Sequence, residues 1–274
     1  MKKTRQLLSL LLAGMMLLSV VSAGAFADGE SGIILMGTDL TAGVYYYMGG
    51  AGPEAYAPDW QPGEGDSYAV LSSDGTLVLH NFKGTCYVSG EDPAAAGITL
   101  SSSVSSLTIR LEGDNEILSQ GYSSEYSGEE VTCRSYGIYA PGKDITFSGE
   151  GSLKISAASL DGVSATHTES TAILAEDITA ADNASVSTIA GNAENSFGFY
   201  ASSVTLSGTG ASLSADAVTA SFSVFPVSEV SGYDVAVSSD YNQSLTGAGP
   251  ATVTLAEPYV EQEPVYEQEP AYEQ

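Results

Sequence analysis

A short unit, in which two apolar-alternating segments flank a turn, recurs through the middle of the chain and constrains the fold more than any other feature. Two copies, residues 145–155 and 178–188, keep the same spacing between their apolar positions. A third copy matches at 109–117, and a fourth matches at 204–213 with one extra residue at the turn. Two weaker relatives, the later one at 233–255, bring the number of copies to about six.

Each half of the unit alternates apolar and polar side chains with period two, which is typical of a strand with one buried face. A unit of two or three short strands cannot bury its apolar face alone, so we expect the units to stack in sequence order. The sequence therefore predicts an all-β protein, a parallel β-helix (solenoid) of about six irregular coils. An antiparallel β-sandwich also accommodates short strands with regular turns, and it is the alternative.

The repeat alignment also predicts which side chains form ladders through the interior. The two expected ladders are Ile109, Ile145, Ile178 and Val204, and Ile117, Leu153, Val186 and Leu213. A further short apolar strand precedes three of the copies, and these strands begin at Gly137, Ala172 and Gly198. The copies are unevenly spaced, so we expect loops to leave at a shared corner, over 119–134, 160–171 and 191–197.

The N-terminus predicts export. Three bases within the first five residues precede an apolar run over 7–21 and a small-x-small cleavage site at 25–27, which is typical of a secretory signal peptide over 1–27. The apolar run is shorter than the roughly 20 residues that a transmembrane helix needs. We therefore expect a secreted, extracellular protein, without membrane insertion after signal cleavage and with at most a loose association with the cell surface.

The charge of the chain excludes two classes of partner. It has 34 acidic against 8 basic side chains and a formal net charge of −26. Nucleic-acid binding depends on Lys and Arg at the phosphates, so nucleic acid is excluded as a partner. An anionic lipid surface is disfavoured for the same reason.

The segments LTIRLEGDN at 107–115 and GIYA at 137–140 resemble the coils of secreted right-handed parallel β-helix proteins of Gram-positive bacteria, some of which are classed as carbohydrate-binding. The resemblance covers residues 67–220. It implies a secreted surface protein that contacts polysaccharide or cell-wall glycan. Members that bind acidic polysaccharide are similar to calcium-dependent pectin proteins with clustered aspartates. This chain lacks a dense Asp cluster on one column, so calcium is not supported and no cofactor is expected.

The candidate ligand-contacting residues follow from the short strands that precede the repeat units. If the central apolar residue of each strand faces inward, the next residue faces outward on the same sheet. These outward residues are Tyr139, Leu174 and Tyr200. An aromatic face can stack on a sugar ring, so we hypothesise that Tyr139 and Tyr200 line a shallow glycan-contacting strip near Glu176 and Asp177. Covering loops or a reversed register would instead place these tyrosines in the core.

No catalytic residue and no metal site is predicted. Cys86, Cys133, His80 and His167 show none of the short spacings of a zinc site. In an exported chain the two cysteines could form one disulfide, and their spacing leaves that pairing open. A pair of carboxylates from adjacent coils could still serve a polysaccharide lyase or hydrolase on the same scaffold, which is the alternative function.

Four regions are expected along the chain: the signal peptide, an N-terminal capping region over 28–66, the β-helix over 67–256, and a tail over 257–274. In the capping region, Tyr45-Tyr46-Tyr47 and Trp60 are expected to close the end of the rod, with a ligand pocket as the alternative. The tail consists of three Glu-Pro-Tyr-Gln hexapeptide repeats, a composition that predicts an extended, disordered segment.

Overall fold

The computed structural model describes residues 31–50, 52–63, 65–87, 96–223, 227–228, 234–239 and 250–256. The expected signal peptide and the hexapeptide tail lie outside these residues. Among the residues that are described, no helix is long and apolar enough to cross a membrane.

Within the described part of the chain, 24 strands form three sheets, here named A, B and C and given in spatial order. Sheet A contains β2 (Thr38–Asp39), β1 (Ile33–Leu35), β8 (Ala96–Leu100), β12 (Glu130–Tyr139), β15 (His167–Leu174), β18 (Asn195–Tyr200) and β21 (Ala220–Ser223), with β11 (Ser123–Ser127) beside β12. Sheet B contains β4 (Pro53–Ala55), β3 (Tyr45–Met48), β5 (Tyr68–Leu71), β6 (Thr76–His80), β9 (Ser106–Glu112), β13 (Asp144–Gly149), β16 (Asp177–Ala180), β19 (Ser203–Leu206) and β22 (Val227–Ser228). Sheet C contains β7 (Lys83–Cys86), β10 (Asp114–Ser119), β14 (Ser152–Ser156), β17 (Ser185–Ile189), β20 (Ser212–Asp216), β24 (Ala251–Ala256) and β23 (Asp234–Ser239).

The chain passes from sheet A to sheet B to sheet C and back, and each circuit is one coil. The described strands make four complete coils, β8–β10, β12–β14, β15–β17 and β18–β20, with partial coils β6–β7 and β21–β22 at the two ends. Equivalent strands of neighbouring coils pair in parallel in all three sheets. The predicted parallel β-helix of about six coils is confirmed, and the alternative of an antiparallel sandwich was wrong.

Antiparallel strands extend the sheets at both ends of the rod. At the N-terminal end, β1 pairs with β8 and β5 pairs with β6. At the other end, β24 pairs with β20 and β23 pairs with β24. The segment 233–255 is expected as a weak copy of the parallel unit, but its described strands, β23 and β24, pair with each other antiparallel. A strand of reversed direction pairs with the edge of β20 without another full circuit of the chain.

Inward side chains of neighbouring coils lie on one another in continuous ladders, and these ladders form the core. The sheet A ladder is Ile98, Ile138, Ile173, Phe199 and Phe222. The sheet B ladders are Leu107, Ile145, Ile178 and Val204, and Leu77, Ile109, Phe147, Ala180 and Leu206. A sheet C ladder is Leu153, Val186, Leu213 and Val253.

The predicted ladders are confirmed for three of their four copies, and the register of the upstream copy was wrong by two residues. Ile145 pairs with Leu107 rather than with Ile109. Sheet C shows the same displacement, since Ile117 pairs with Ile155. A shift of two residues keeps every side chain on its predicted face, so both displaced isoleucines are still buried.

The excursions leave between sheet C and sheet A, at one corner of the rod, as the spacing of the copies predicts. None of the three predicted loops is all loop, since β15 begins within 160–171 and β18 begins within 191–197. The first of them, over 119–134, contains the most strand. Strand β11 pairs antiparallel with the first half of β12, with Tyr126 opposite Val131. The hairpin therefore extends sheet A beyond the body of the coil.

Buried serines hold this corner in three successive coils. Each serine Oγ accepts a hydrogen bond from a backbone N–H of the excursion beside it. The pairs are Ala158 N to Ser135 Oγ at 2.9 Å, Gly191 N to Ser170 Oγ at 2.9 Å, and Val218 N to Ser196 Oγ at 3.1 Å. All three serines are fully buried, and the bond to the backbone gives each buried hydroxyl a hydrogen-bond partner.

The ladders predict a sharp difference between inward and outward positions on one strand. Phe147 on β13 is fully buried, whereas Thr146 beside it is half-buried on the outer face. We expect Phe147→Ala to lower the free energy of unfolding by about 3–5 kcal/mol, because it leaves a cavity in the ladder. Thr146→Ala, the matched control, is expected to change it by less than about 0.5 kcal/mol. Urea unfolding followed by circular dichroism measures both, and equal losses would contradict the ladder.

Candidate functional site

A bend in the sheet A strands determines which side chains face outward. An added Cβ on Gly137 would lie 2.2 Å from Cγ2 of the core residue Ile155, and one on Gly198 would lie 2.5 Å from Cβ of Ala215. Each glycine therefore faces the core. The ladder residue that comes next in the sequence, Ile138 or Phe199, faces the core as well. Two consecutive inward residues break the alternation of the strand. The residues on either side of the pair consequently share the outer face.

Two aromatic pairs occupy this outer face. The rings of Tyr136 and Tyr139 lie 4.7 Å apart, and those of Phe197 and Tyr200 lie 5.1 Å apart in an edge-to-face arrangement. Leu174 lies between the pairs, since it is the register partner of both Tyr139 and Tyr200. We call these five residues the sheet A strip. With strands about 4.8 Å apart, the two pairs lie roughly 10 Å from each other.

The strip is open to solvent at one end and closed at the other. Tyr200 is 45% exposed, Tyr139, Leu174 and Phe197 are half-buried, and Tyr136 is only 3% exposed. The structure therefore places the two sequence-predicted residues, Tyr139 and Tyr200, on the outer face and in one row. Their contact with a glycan stays a prediction.

The sequence interpretation missed Tyr136 and Phe197. Strict alternation counts both as inward, because each lies two residues before an inward ladder residue. The signal that identifies them is the glycine that directly follows each one, Gly137 or Gly198. This glycine faces the core at a position with no room for a Cβ.

A charged cluster borders the Tyr136 end of the strip. Arg134 Nη1 donates to Glu125 Oε2 at 2.5 Å, and its Nε lies 3.8 Å from Glu169 Oε2. Thr171 Oγ1 also donates to Glu169 at 3.1 Å. The guanidinium thus links the hairpin strand β11 to the coil strand β15, and both carboxylates are paired with it.

Burial sets the protonation of Tyr136. It raises the pKa of the phenol far above its ordinary value, and the negative charge of Glu169 raises it further, while Arg134 opposes the shift. The phenol is therefore a neutral hydrogen-bonding group over the whole physiological range of pH. The acids expected near the strip, Glu176 and Asp177, are exposed and accept hydrogen bonds from Ser202 Oγ at 2.9 Å and Ser203 Oγ at 2.6 Å.

The disulfide that the sequence allows between Cys86 and Cys133 is not formed. Cys133 is a buried free cysteine, with Sγ 3.3 Å from Ser124 Oγ. Cys86 is also buried, and its Sγ lies 3.5 Å from the carbonyl oxygen of Ala96. Cys86 lines a cavity of about 660 Å³ at the N-terminal end of sheet C, together with Met36 and Met48.

The two histidines lie apart, and each is beside one glutamate. His80 Nδ1 is 3.1 Å from Glu112 Oε2, and His167 Nδ1 is 3.0 Å from Glu194 Oε2. Across the described ranges, no group of three or more His, Cys, Asp or Glu residues is arranged to hold a metal ion. The sheet A strip itself consists of four aromatic rings and one leucine side chain.

Comparison of the chain with protein-family models, with curated proteins and with solved structures gives no match. The site is consequently interpreted from its own geometry.

The raised pKa of Tyr136 predicts how stability depends on alkaline pH. The unfolded chain ionises this phenol near pH 10, whereas the folded chain does not. Its contribution to stability is therefore complete below about pH 10 and is lost as pH rises above that value, by up to about 1.4 kcal/mol per pH unit. Tyr136→Phe removes the titrating group and is expected to lose less stability than the wild type between about pH 9 and about pH 11. Urea unfolding at the two pH values measures this, and identical losses in both proteins would contradict the burial of the phenol.

Proposed function

We propose that the protein is a secreted, non-catalytic surface protein that contacts polysaccharide or cell-wall glycan through the sheet A strip. One observation carries the proposal: two aromatic pairs and an intervening leucine lie in register on the outer face of one parallel sheet. The predicted signal peptide supports an extracellular location, where such polymers are found.

The arrangement suits an extended sugar polymer better than a compact small molecule. The strip is a row of side chains on a sheet face, and the ring of Tyr200 is the most exposed of them. Aromatic rings present broad apolar faces, and the tyrosine hydroxyl adds a hydrogen-bonding group at the edge of the ring. Side chains in a row across parallel strands repeat at the strand spacing of about 4.8 Å. One polysaccharide chain can therefore contact several side chains of the row in succession.

A polysaccharide lyase or hydrolase on the same scaffold is the second candidate function. The observation that favours it is the cluster beside Tyr136, in which Glu125 and Glu169 converge on Arg134. Glycoside hydrolysis needs two carboxylates across the scissile bond, one of them protonated. Here both carboxylates contact the same guanidinium, an arrangement that suits a structural link between β11 and β15. The proposal is therefore the non-catalytic one.

The double variant Tyr139→Ala/Tyr200→Ala tests the proposed function. We expect it to reduce retention on insoluble polysaccharide by about tenfold or more, because two stacking faces are lost. The measurement is a depletion assay of the full-length mature protein on cellulose, xylan, mannan and peptidoglycan. A chelator of calcium is expected to leave retention unchanged.

Tyr126→Ala is the matched control, since Tyr126 is 66% exposed and lies on the hairpin strand β11 outside the strip. It is expected to retain wild-type binding. Wild-type retention of the double variant, with an unchanged far-ultraviolet circular dichroism spectrum, would refute the proposal. Release of reducing sugar by the wild type, abolished in Glu169→Gln, would instead establish the enzymatic alternative.

A further inference from the structure

A second group of aromatic side chains lies on the outer side of sheet B at the N-terminal end of the rod. We call it the N-terminal aromatic row, and its members are Tyr45, Tyr47, Tyr56, Trp60, Tyr68 and His80. Strands β3, β5 and β6 provide four of the rings, and the segment after β4 provides Tyr56 and Trp60. The antiparallel pairing of β3 with β5 and of β5 with β6 brings these strands side by side.

The rings form one continuous set of contacts. Tyr56 stacks on Trp60 with centroids 3.7 Å apart and planes within 7° of parallel. Tyr47 lies 4.7 Å from Tyr56 on one side, and Tyr45 lies 5.2 Å from Trp60 on the other. Tyr68 continues the row, 5.2 Å from Tyr45 and stacked on the His80 ring at 4.9 Å.

The row is a surface feature and not part of the core. All six side chains are half-buried, and none belongs to the buried cluster that fills the rod. The end of the core is packed instead by Tyr46, Met36 and Leu40, which are at most 5% exposed. Tyr46 thus belongs to the buried end of the core, whereas Tyr45, Tyr47 and Trp60, which were expected to close the rod with it, lie outside that cluster. Part of each of these rings is exposed to solvent.

Acidic and other polar groups surround the row. Tyr47 donates from its hydroxyl to Glu54 Oε2 at 2.9 Å, and Glu112 lies 3.1 Å from both Arg110 and His80. The pKa of Tyr47 is raised, first by its hydrogen bond to Glu54 and then by the charge of that carboxylate. Burial raises the pKa of Tyr68, and Glu112 raises it further. Two carboxylates, Glu54 and Glu112, against the one guanidinium of Arg110 make the charged groups beside the row net negative, in keeping with the charge of the whole chain.

We propose that the N-terminal aromatic row is a second glycan-binding surface, selective for uncharged polysaccharide chains. Ring faces flanked by carboxylates and a guanidinium match a sugar, which offers an apolar face and hydroxyl groups around its edge. The negative surroundings disfavour uronic acid polymers. A cage for an organic cation would need a gap between rings, whereas these rings touch one another. The inference shares the ligand class of the proposed function but rests on different residues.

The row contains its own reporter, because Trp60 is the single tryptophan of the chain. Fluorescence of the full-length mature protein, excited selectively at tryptophan rather than at the 16 tyrosines, therefore reports this surface. The probes are cellohexaose, xylohexaose and mannohexaose, with hexagalacturonate as the acidic counterpart. We expect a saturable change in Trp60 emission with at least one of the uncharged oligosaccharides and none with hexagalacturonate. No change with any uncharged probe, or a stronger response to the acidic one, would overturn the inference.

Variants separate this surface from the sheet A strip. Tyr56→Ala removes the ring stacked on Trp60 but keeps the reporter, and it is expected to weaken the titration by about tenfold or more. Tyr126→Ala is the matched control and is expected to titrate as the wild type does. An unchanged titration of Tyr56→Ala, with an intact circular dichroism spectrum, would refute the row as the binding surface.

The double variant Tyr139→Ala/Tyr200→Ala completes the set. If it keeps the Trp60 titration but loses retention on polysaccharide, both surfaces bind. If the double variant keeps both the Trp60 titration and the retention on polysaccharide, the sheet A strip is not a binding surface and the proposed function is wrong. The N-terminal aromatic row is then still supported as a binding surface. If it loses the Trp60 titration, the row is not an independent surface and this inference is wrong.

Discussion

The structure depends on one constraint: neighbouring coils pair in parallel with their inward side chains in register. A single coil of short strands has too little apolar surface to be stable alone, so each coil is held by the coil on either side. The ladder from Ile98 to Phe222 shows the result, because each member packs on its register partner. Phe199 and Phe222 in this ladder stack with centroids 4.8 Å apart.

The same constraint makes the surface periodic. Once the inward column of a sheet is fixed, the outward column repeats from coil to coil, and a functional row needs only one suitable residue in each strand. The bend at Gly137 and Gly198 adds a second outward column to sheet A, which is why aromatic residues three positions apart meet. A regular core thus positions an array of side chains at intervals of about one strand spacing. This architecture suits contact with a polymer that is itself periodic.

Much of the fold could be predicted from the sequence, because the period-two pattern determines which residues are inward whatever their register. The register itself was predicted less well. Leu107, Ile109 and Leu111 are all apolar at alternate positions, so a shift of two residues leaves the pattern unchanged. In the structure Asp114 pairs with Ser152, so Gly113 lies opposite Gly151 of the next coil, whereas the sequence alignment places it opposite Gly149.

The candidate surfaces were harder to predict, for different physical reasons. Tyr136 and Phe197 were missed because two consecutive inward residues interrupt the alternation beside them. The sequence placed Tyr45, Tyr47 and Trp60 in the capping region, with a ligand pocket as the alternative. It did not add Tyr68 and His80 to them, because the row is assembled by antiparallel pairing between segments with no repeat. Tyr45 and Tyr68, for example, meet only when β3 and β5 are paired. The local sequence carries no information on that pairing beyond its aromatic content.

The stacking of the coils is tested most directly by nuclear Overhauser contacts between methyl groups in protein labelled at Ile, Leu and Val. Parallel stacking predicts strong contacts between Ile145 and Leu107 and between Val186 and Leu213, which are register partners in parallel strands. Contacts of these residues that require antiparallel neighbours, or methyl groups of the ladders exposed to water, would contradict parallel stacking and the outward surfaces that depend on it.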